Sequence, residues 1–287
     1  MDSTKQRELQ IAACKIRMGI IEGVYNAKSG HPGGSLGLAD TVTYLYENQL
    51  KLTTDPANPA DPKRDRVILS KGHNAPALYA ALALRGYFPW EELKTLRKIG
   101  SRLQGHPVMS ATPGVDFSTG SLGQGFSAAC GMALAAKLDN AAYKTFTILG
   151  DGEIQEGQVW EAAMFAAHYK LDNLVAIVDN NNLQIDGAVD EVMSPYPIDE
   201  KFHAFGWNVI CIDGHDFTQI ADAFASADKN SGSGKPFVII QKTTKGKGVS
   251  FMENKASWHG VAPNEQQYNA AMAELKSALQ ALGGEQP

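Results

Sequence analysis

Four uncharged runs in the second half of the chain each lead into glycine or short polar residues. Residues 145–149 run into Gly150-Asp151-Gly152, and residues 174–178 into Asp179-Asn180-Asn181-Asn182. Residues 209–212 run into Asp213-Gly214-His215, and residues 237–240 lead to Lys245-Gly246-Lys247-Gly248. The last three runs are apolar at every position, the pattern of strands covered on both faces. Helical segments over 157–169 and 218–227 lie between them. Strands of this kind alternating with helices predict an α/β fold: a doubly wound, mostly parallel sheet flanked by helices. Such sheets bind ligands outside the carboxyl ends of their strands, which is where the turn residues gather.

The first half is more helical. Leu9, Ala12, Ala13, Ile16, Ile20 and Val24 recur at three- and four-residue steps, predicting a helix over 4–27 with Gly30 as its left-handed cap. A second helix is expected after Gly37, a strand over 66–70 that turns at Gly72-His73, and helices over 75–84 and 90–99. The proline-rich stretch 55–62 reads as a surface loop. With no repeat and no linker, residues 1–287 read as one domain, in which 264–287 are an amphipathic helix and a polar tail.

A hydrophobic fraction of 44% with 20% charged residues excludes disorder over most of the chain. The net charge of −5 argues against a nucleic-acid or anionic-membrane surface. Residues 117–136 carry no charge, but nine of these 20 are Gly, Ser, Thr or Gln, which makes a poor membrane span. The opening residues are polar and charged, unlike a signal peptide. Cys14, Cys130 and Cys211 lie far apart, as small buried residues do, with neither a disulfide frame nor zinc spacing. A cytoplasmic protein without a membrane anchor is expected.

The sharpest chemical signal is Gly150-Asp151-Gly152, then 27 residues, then Asn180-Asn181. The two glycines allow a tight turn and close backbone approach to a ligand. Asp151 and Asn181 offer hard oxygen donors at the ends of two strands, and a helix starting near Glu153 points N–H groups to the same place. That arrangement suits a divalent cation holding a diphosphate. Glu153 and Glu156 fit a helix N-terminus but would repel a diphosphate that no metal neutralises. Lys245-Gly246-Lys247-Gly248 reads equally well as a phosphate loop or lid and as a solvated lysine loop. Four of seven histidines, His31, His73, His106 and His259, sit beside or near glycine in loops, where a ring that donates and accepts near neutral pH serves proton transfer. His168, His203 and His215 read as structural or surface residues.

These segments resemble the thiamine-diphosphate-binding, amino-terminal half of transketolases, along residues 11–263. The matching motifs are Lys28-Ser29-Gly30-His31-Pro32-Gly33, Ser70-Lys71-Gly72-His73, Gly105-His106-Pro107 and Thr119-Gly120-Ser121-Leu122-Gly123-Gln124-Gly125. Gly150-Asp151-Gly152-Glu153, Asp179-Asn180-Asn181-Asn182 and Trp258-His259-Gly260 follow in the family's order. The resemblance implies Asp151, Asn181 and the Leu183 carbonyl as ligands of Mg2+, with Ca2+ or Mn2+ as substitutes. It implies Gly152 at the diphosphate, Asn181, His73 and His259 at the cofactor, and Gly120, Ser121 and Leu122 beside its aminopyrimidine. His31 and His259 would contact the donor sugar, His106 the channel, and Glu156 the dimer interface.

Family members carry a pyrimidine-binding and a carboxyl-terminal domain, including the glutamate that activates the cofactor, and neither fits after Pro263. The resemblance therefore implies one subunit of a two-polypeptide transketolase, active only with a carboxyl-terminal partner in an α2β2 assembly, moving a two-carbon ketol unit from a ketose phosphate to an aldose acceptor. Ser121 stands where ordinary transketolases have proline, which points to a specialised sugar phosphate as an alternative. A non-catalytic regulatory paralogue is the reading from another class.

Overall fold

The computed structural model describes residues 1–50 and 54–287. Its centre is a five-stranded sheet of β1 (Arg66–Leu69), β2 (Thr145–Gly150), β3 (Leu174–Asn180), β4 (Asn208–Asp213) and β5 (Phe237–Lys242), in the order β1-β2-β3-β5-β4. All pairs are parallel. Side chains alternate between two cores: Val175 and Ile177 of β3 enter one, Leu174, Ala176 and Val178 the other. A strand that feeds two cores has no polar position to spare, so it reads as a continuous apolar run.

Helices α1 (Ser3–Ala27), α2 (Pro32–Tyr44) and α3 (Ala75–Leu84) cover one face, together with α8 (Phe217–Lys229) and α9 (Glu265–Ala281). The other face is covered by α4 (Gln124–Leu138), α5 (Gly157–His168) and α7 (Ile198–Ala204), and a short α6 (Val189–Met193) lies beyond β3. Helix α9 begins with a capping box between Asn264 and Gln267 and docks along α1, where the Tyr25 and Tyr268 rings stack with centroids 4.1 Å apart. None of the helices described is long and apolar enough to cross a membrane.

Several local expectations are corrected. The left-handed cap of α1 is Lys28 (φ 51), whose N–H donates to the Tyr25 carbonyl, while Gly30 (φ 142) turns the chain where a Cβ would lie 3.1 Å from Val24. Helix α2 starts at Pro32 rather than after Gly37, because proline suits the first helical turn and glycines are retained inside the helix for close packing. A Cβ on Gly37 would stand 2.8 Å from the Thr244 carbonyl oxygen. The segment expected to be helical over 90–99 is a 3-10 turn, Trp90–Thr95, nested on α1 at Gly19, and Arg97 follows with φ 61. Helix α4 begins in the uncharged run 117–136 and ends just past it, and it escaped the sequence reading because Ala, Gly and Ser give no apolar period. Cys211 is exposed rather than buried, since β4 is an edge strand.

Candidate active site

Strand register puts every polar turn at one edge of the sheet: Leu69 pairs with Ile148, Gly150 with Asp179, and Asn180 with Lys242. Two residues past Leu69, Lys71 is level with Gly150 and Asp179. Gly150 has no side chain, and a Cβ there would lie 3.3 Å from Lys71 Cδ. Lys71 thus crosses the end of β2 and forms a buried ion pair with Asp179 of β3. Asp179 also accepts from the Thr243 hydroxyl and, at 3.2 Å, from Asn181 Nδ2. Burial alone would raise the Asp179 pKa, but Lys71 and these bonds hold it below the ordinary carboxylate value.

Asp151 is 2% exposed, and its carboxylate accepts from the Gly152 N–H at 2.9 Å and the Asn182 N–H at 2.5 Å. Burial and the neighbouring Asp179 push its pKa up to about 6, the signature of an anionic group short of positive charge. Asn181 Oδ1 accepts from the Leu183 N–H at 3.1 Å. Among the described residues no three His, Cys, Asp or Glu side chains gather as a metal site, so any ion here would rely on a mixed oxygen set. Asp151, Asn181 and the Leu183 carbonyl have that chemistry, and a divalent cation would relieve the penalty on Asp151.

Glu153, expected to repel a diphosphate, is turned inward. Its carboxylate takes the Ser70 hydroxyl at 2.5 Å and the N–H groups of Gly123 at 2.9 Å and Gly150 at 3.1 Å. It therefore ties the loop after β1 and the start of α4 to the Gly150 turn. Burial raises its pKa against these bonds. Glu156 is exposed at the cavity rim, beside Gly123.

Three imidazoles stand above this floor. The ring centroids are 5.1 Å apart for His31 and His73, and 5.3 Å for both His31–His259 and His73–His259. Gly33 permits the meeting, because a Cβ there would lie 2.8 Å from the Trp258 carbonyl oxygen. Burial, followed by the positive charge of Arg97, lowers His31 to about 4. Burial and Lys71 lower His73 to about 2, and burial and Lys245 lower His259 to about 3. All three rings are neutral at pH 7, each with one donor and one acceptor nitrogen. His106 is exposed, next to Gly120 and outside the three-ring cluster.

A cavity of about 370 Å³ joins these parts, with Gly120, Leu122, Gly152 and Asn181 in its walls. The Ser121 side chain is exposed and off that wall. Lys245 is 2% exposed and enters the cavity, donating to the Leu183 carbonyl at 3.0 Å and meeting His259 Nδ1 at 2.9 Å. This decides its loop against the solvated reading for Lys245. Burial brings its pKa down to about 8. Lys71, Asp179 and the anchoring role of Glu153 were missed. The available signal was the pairing of a lysine and an aspartate just past two strand runs, usable only once the strand order is known. His215 is structural as expected, with its ring held by Asp40 at 2.7 Å.

Residues 9–280 match the model of the transketolase thiamine diphosphate binding domain. The chain belongs to the transketolase family. It is 48% identical over 274 residues to the 6-deoxy-6-sulfo-D-fructose transketolase subunit of Clostridium sp. (strain MSTE9), covering 96% of this chain and 98% of that protein. It is 44% identical over 274 residues to an apulose-4-phosphate transketolase subunit of Phocaeicola vulgatus, covering 96% of each. The crystal structure of transketolase from Campylobacter jejuni superposes with a TM-score of 0.87 at 34% identity, covering 98% of this chain and 46% of that one. This transketolase chain thus spans nearly the whole of the subunits it matches and less than half of the long transketolase. Thiamine diphosphate is the ligand for which this transketolase domain is named.

Proposed function

We propose that this chain is the diphosphate-binding subunit of a two-component transketolase, moving a two-carbon ketol unit from a ketose phosphate to an aldose. The observation that carries the reading is one cavity holding the three neutral histidines over Asp151 and Asn181. Asp151, Asn181 and the Leu183 carbonyl would hold Mg2+ against the diphosphate, with Ca2+ or Mn2+ as substitutes. Gly152, Gly120 and Leu122 leave room for the cofactor to approach. Thiamine diphosphate, when bound, supplies the electron sink for C–C cleavage. His31 and His73 orient the donor sugar and accept or return its hydroxyl protons, and His259 contacts the same sugar as a donor. Lys245 fixes His259 so that the proton sits on Nε2, a hydrogen-bond donor for a developing alkoxide. His106, outside the cluster, is assigned to the channel mouth, and the exposed Ser121 to the approach to it.

The partner would be a carboxyl-terminal subunit carrying the pyrimidine-binding half. Ile185 (68% exposed) beside the cavity, with Val192 (43%) and Met193 (64%) on α6, offers apolar surface for it. Met164, Phe165 and Tyr169 are exposed along α5 and its end, as is Leu138 at the end of α4, which supports a second contact and an α2β2 assembly with Glu156 at the interface. A specialised donor is the second reading, favoured by relatives named for a sulfonated ketose and for apulose 4-phosphate.

The test is to purify this chain with and without a carboxyl-terminal partner and measure aldehyde release from xylulose 5-phosphate and from those two classes of ketose, with thiamine diphosphate and Mg2+. Activity in the mixture alone is expected. Turnover by the single chain would overturn the two-component reading, and a complex that cleaves no ketose would favour a regulatory role.

A further inference from the structure

Lys245 sits on a loop that is gripped on both sides by groups outside the cavity. Thr244, just before it, donates its N–H to His215 Nε2 at 2.8 Å. Lys247, two residues after it, accepts at its carbonyl from Arg17 Nε at 3.1 Å. Both grips converge on one carboxylate: Asp40 Oδ2 lies 2.6 Å from Arg17 Nη2 and 2.7 Å from His215 Nδ1. A backbone N–H can only donate, so His215 Nε2 is an acceptor, and the ring proton sits on Nδ1 and points at Asp40. Burial would raise Asp40, but Arg17 and His215 hold it ionised, below the ordinary value.

The arrangement spans three elements. Arg17 comes from α1, Asp40 from α2, and His215 from the turn after β4, whose Asp213 accepts the His215 N–H at 2.8 Å. Arg17 is 9% exposed and Asp40 5%. A buried ion pair is a poor source of stability, because an apolar pair of the same volume does as well or better. What the pair and the imidazole achieve that apolar residues cannot is directional: they fix two backbone groups that bracket Lys245. Packing reinforces the clasp, since the Gly246 N–H donates to the Gly33 carbonyl at 2.8 Å.

We propose that Arg17, Asp40 and His215 form a strut of positioning residues that sets Lys245 against the Leu183 carbonyl and His259, and so tunes cofactor affinity from outside the site. None of the three residues lines the cavity, and the inference rests on the functional reading above for what Lys245 does.

The experiment is titration calorimetry of thiamine diphosphate with Mg2+ into the full chain, assembled with its carboxyl-terminal partner. His215→Ala and Asp40→Asn should each weaken binding about tenfold, the scale of a net hydrogen bond that also orients a charge. His215→Gln, whose side-chain oxygen can again accept from Thr244, should stay within about threefold of wild type. The deciding measurement is the double-mutant cycle: in a Lys245→Ala background, His215→Ala should cost nothing further. Equal losses in both backgrounds would overturn the strut, as would unchanged affinity in His215→Ala. If His215→Ala does not fold, the same cycle with Asp40→Asn decides. A wild-type assembly that binds no thiamine diphosphate would overturn the functional reading, and this inference with it.

Discussion

The ammonium nitrogen of Lys245 stands 2.9 Å from Nδ1 of His259. Lysine can only donate, so His259 accepts at Nδ1 and keeps its ring proton on Nε2. Burial moves both groups, Lys245 down to about 8 and His259 to about 3, so at pH 7 the pair is mainly ammonium and neutral imidazole. A loop lysine thereby fixes the tautomer of a histidine in the cavity.

Lys245→Met should release that constraint. With the positive charge gone, the His259 pKa rises from its depressed value, though burial still keeps it under 6.5. Nitrogen-15 NMR of the ring should report a mixture of tautomers in place of one. A single Nε2–H tautomer in the variant would count against the assignment.

Acid should unfold the protein through its histidines. Those at 31, 73 and 259 have folded pKa values of about 4, 2 and 3, below the unfolded 6.5, so below pH 6.5 the unfolded state binds more protons. Their stabilising contribution is complete above pH 6.5 and is lost as pH falls towards the folded values. Asp151, raised to about 6, and Glu153, also raised by burial, work in the opposite sense, but two carboxylates face three imidazoles. The melting temperature should fall between pH 7 and 5, and less steeply in His73→Asn. A flat profile would contradict the burial argument.

Cation binding should follow Asp151. As pH drops through about 6 its carboxylate takes up a proton and can no longer hold the proposed cation, so Mg2+ should support cofactor binding less well there. Saturating Mg2+ and thiamine diphosphate should raise the wild-type melting temperature by several degrees, since 100-fold excess over Kd is worth about 2.7 kcal/mol. Asp151→Asn should lose that rise, as read by differential scanning calorimetry.

Two glycines test packing against propensity. A Cβ at Gly37 would lie 2.8 Å from the Thr244 carbonyl oxygen, a backbone atom that must move, so Gly37→Ala should cost about 1–3 kcal/mol and disturb the Lys245 loop. Gly131, exposed within α4, has nothing within 4 Å, so Gly131→Ala should stabilise by up to about 1 kcal/mol through helix propensity alone. Urea denaturation of both variants makes the comparison.

Element type and chemistry were written locally in this chain. The runs at 174–178 and 237–240 fall on β3 and β5, because strands buried on both faces leave no polar position there to confuse the period, and the run at 145–149 falls on β2 with Thr145 and Thr147 buried. The motif around Asp151 and Asn181 and three of the four loop histidines came together because parallel strands deliver their ends to one edge. Tertiary structure decided what no local period encodes. Helix α4 is recognisable only from its packing on β1, β2 and α5. The Lys71–Asp179 pair exists because β2 lies between their strands and Gly150 there has no side chain to block the crossing. Lys245 became a cavity residue because β5 inserts between β3 and β4, carrying the following loop to Leu183 and His259. A sequence specifies each strand by the burial of its own side chains, but which strand ends meet depends on the order of the whole sheet.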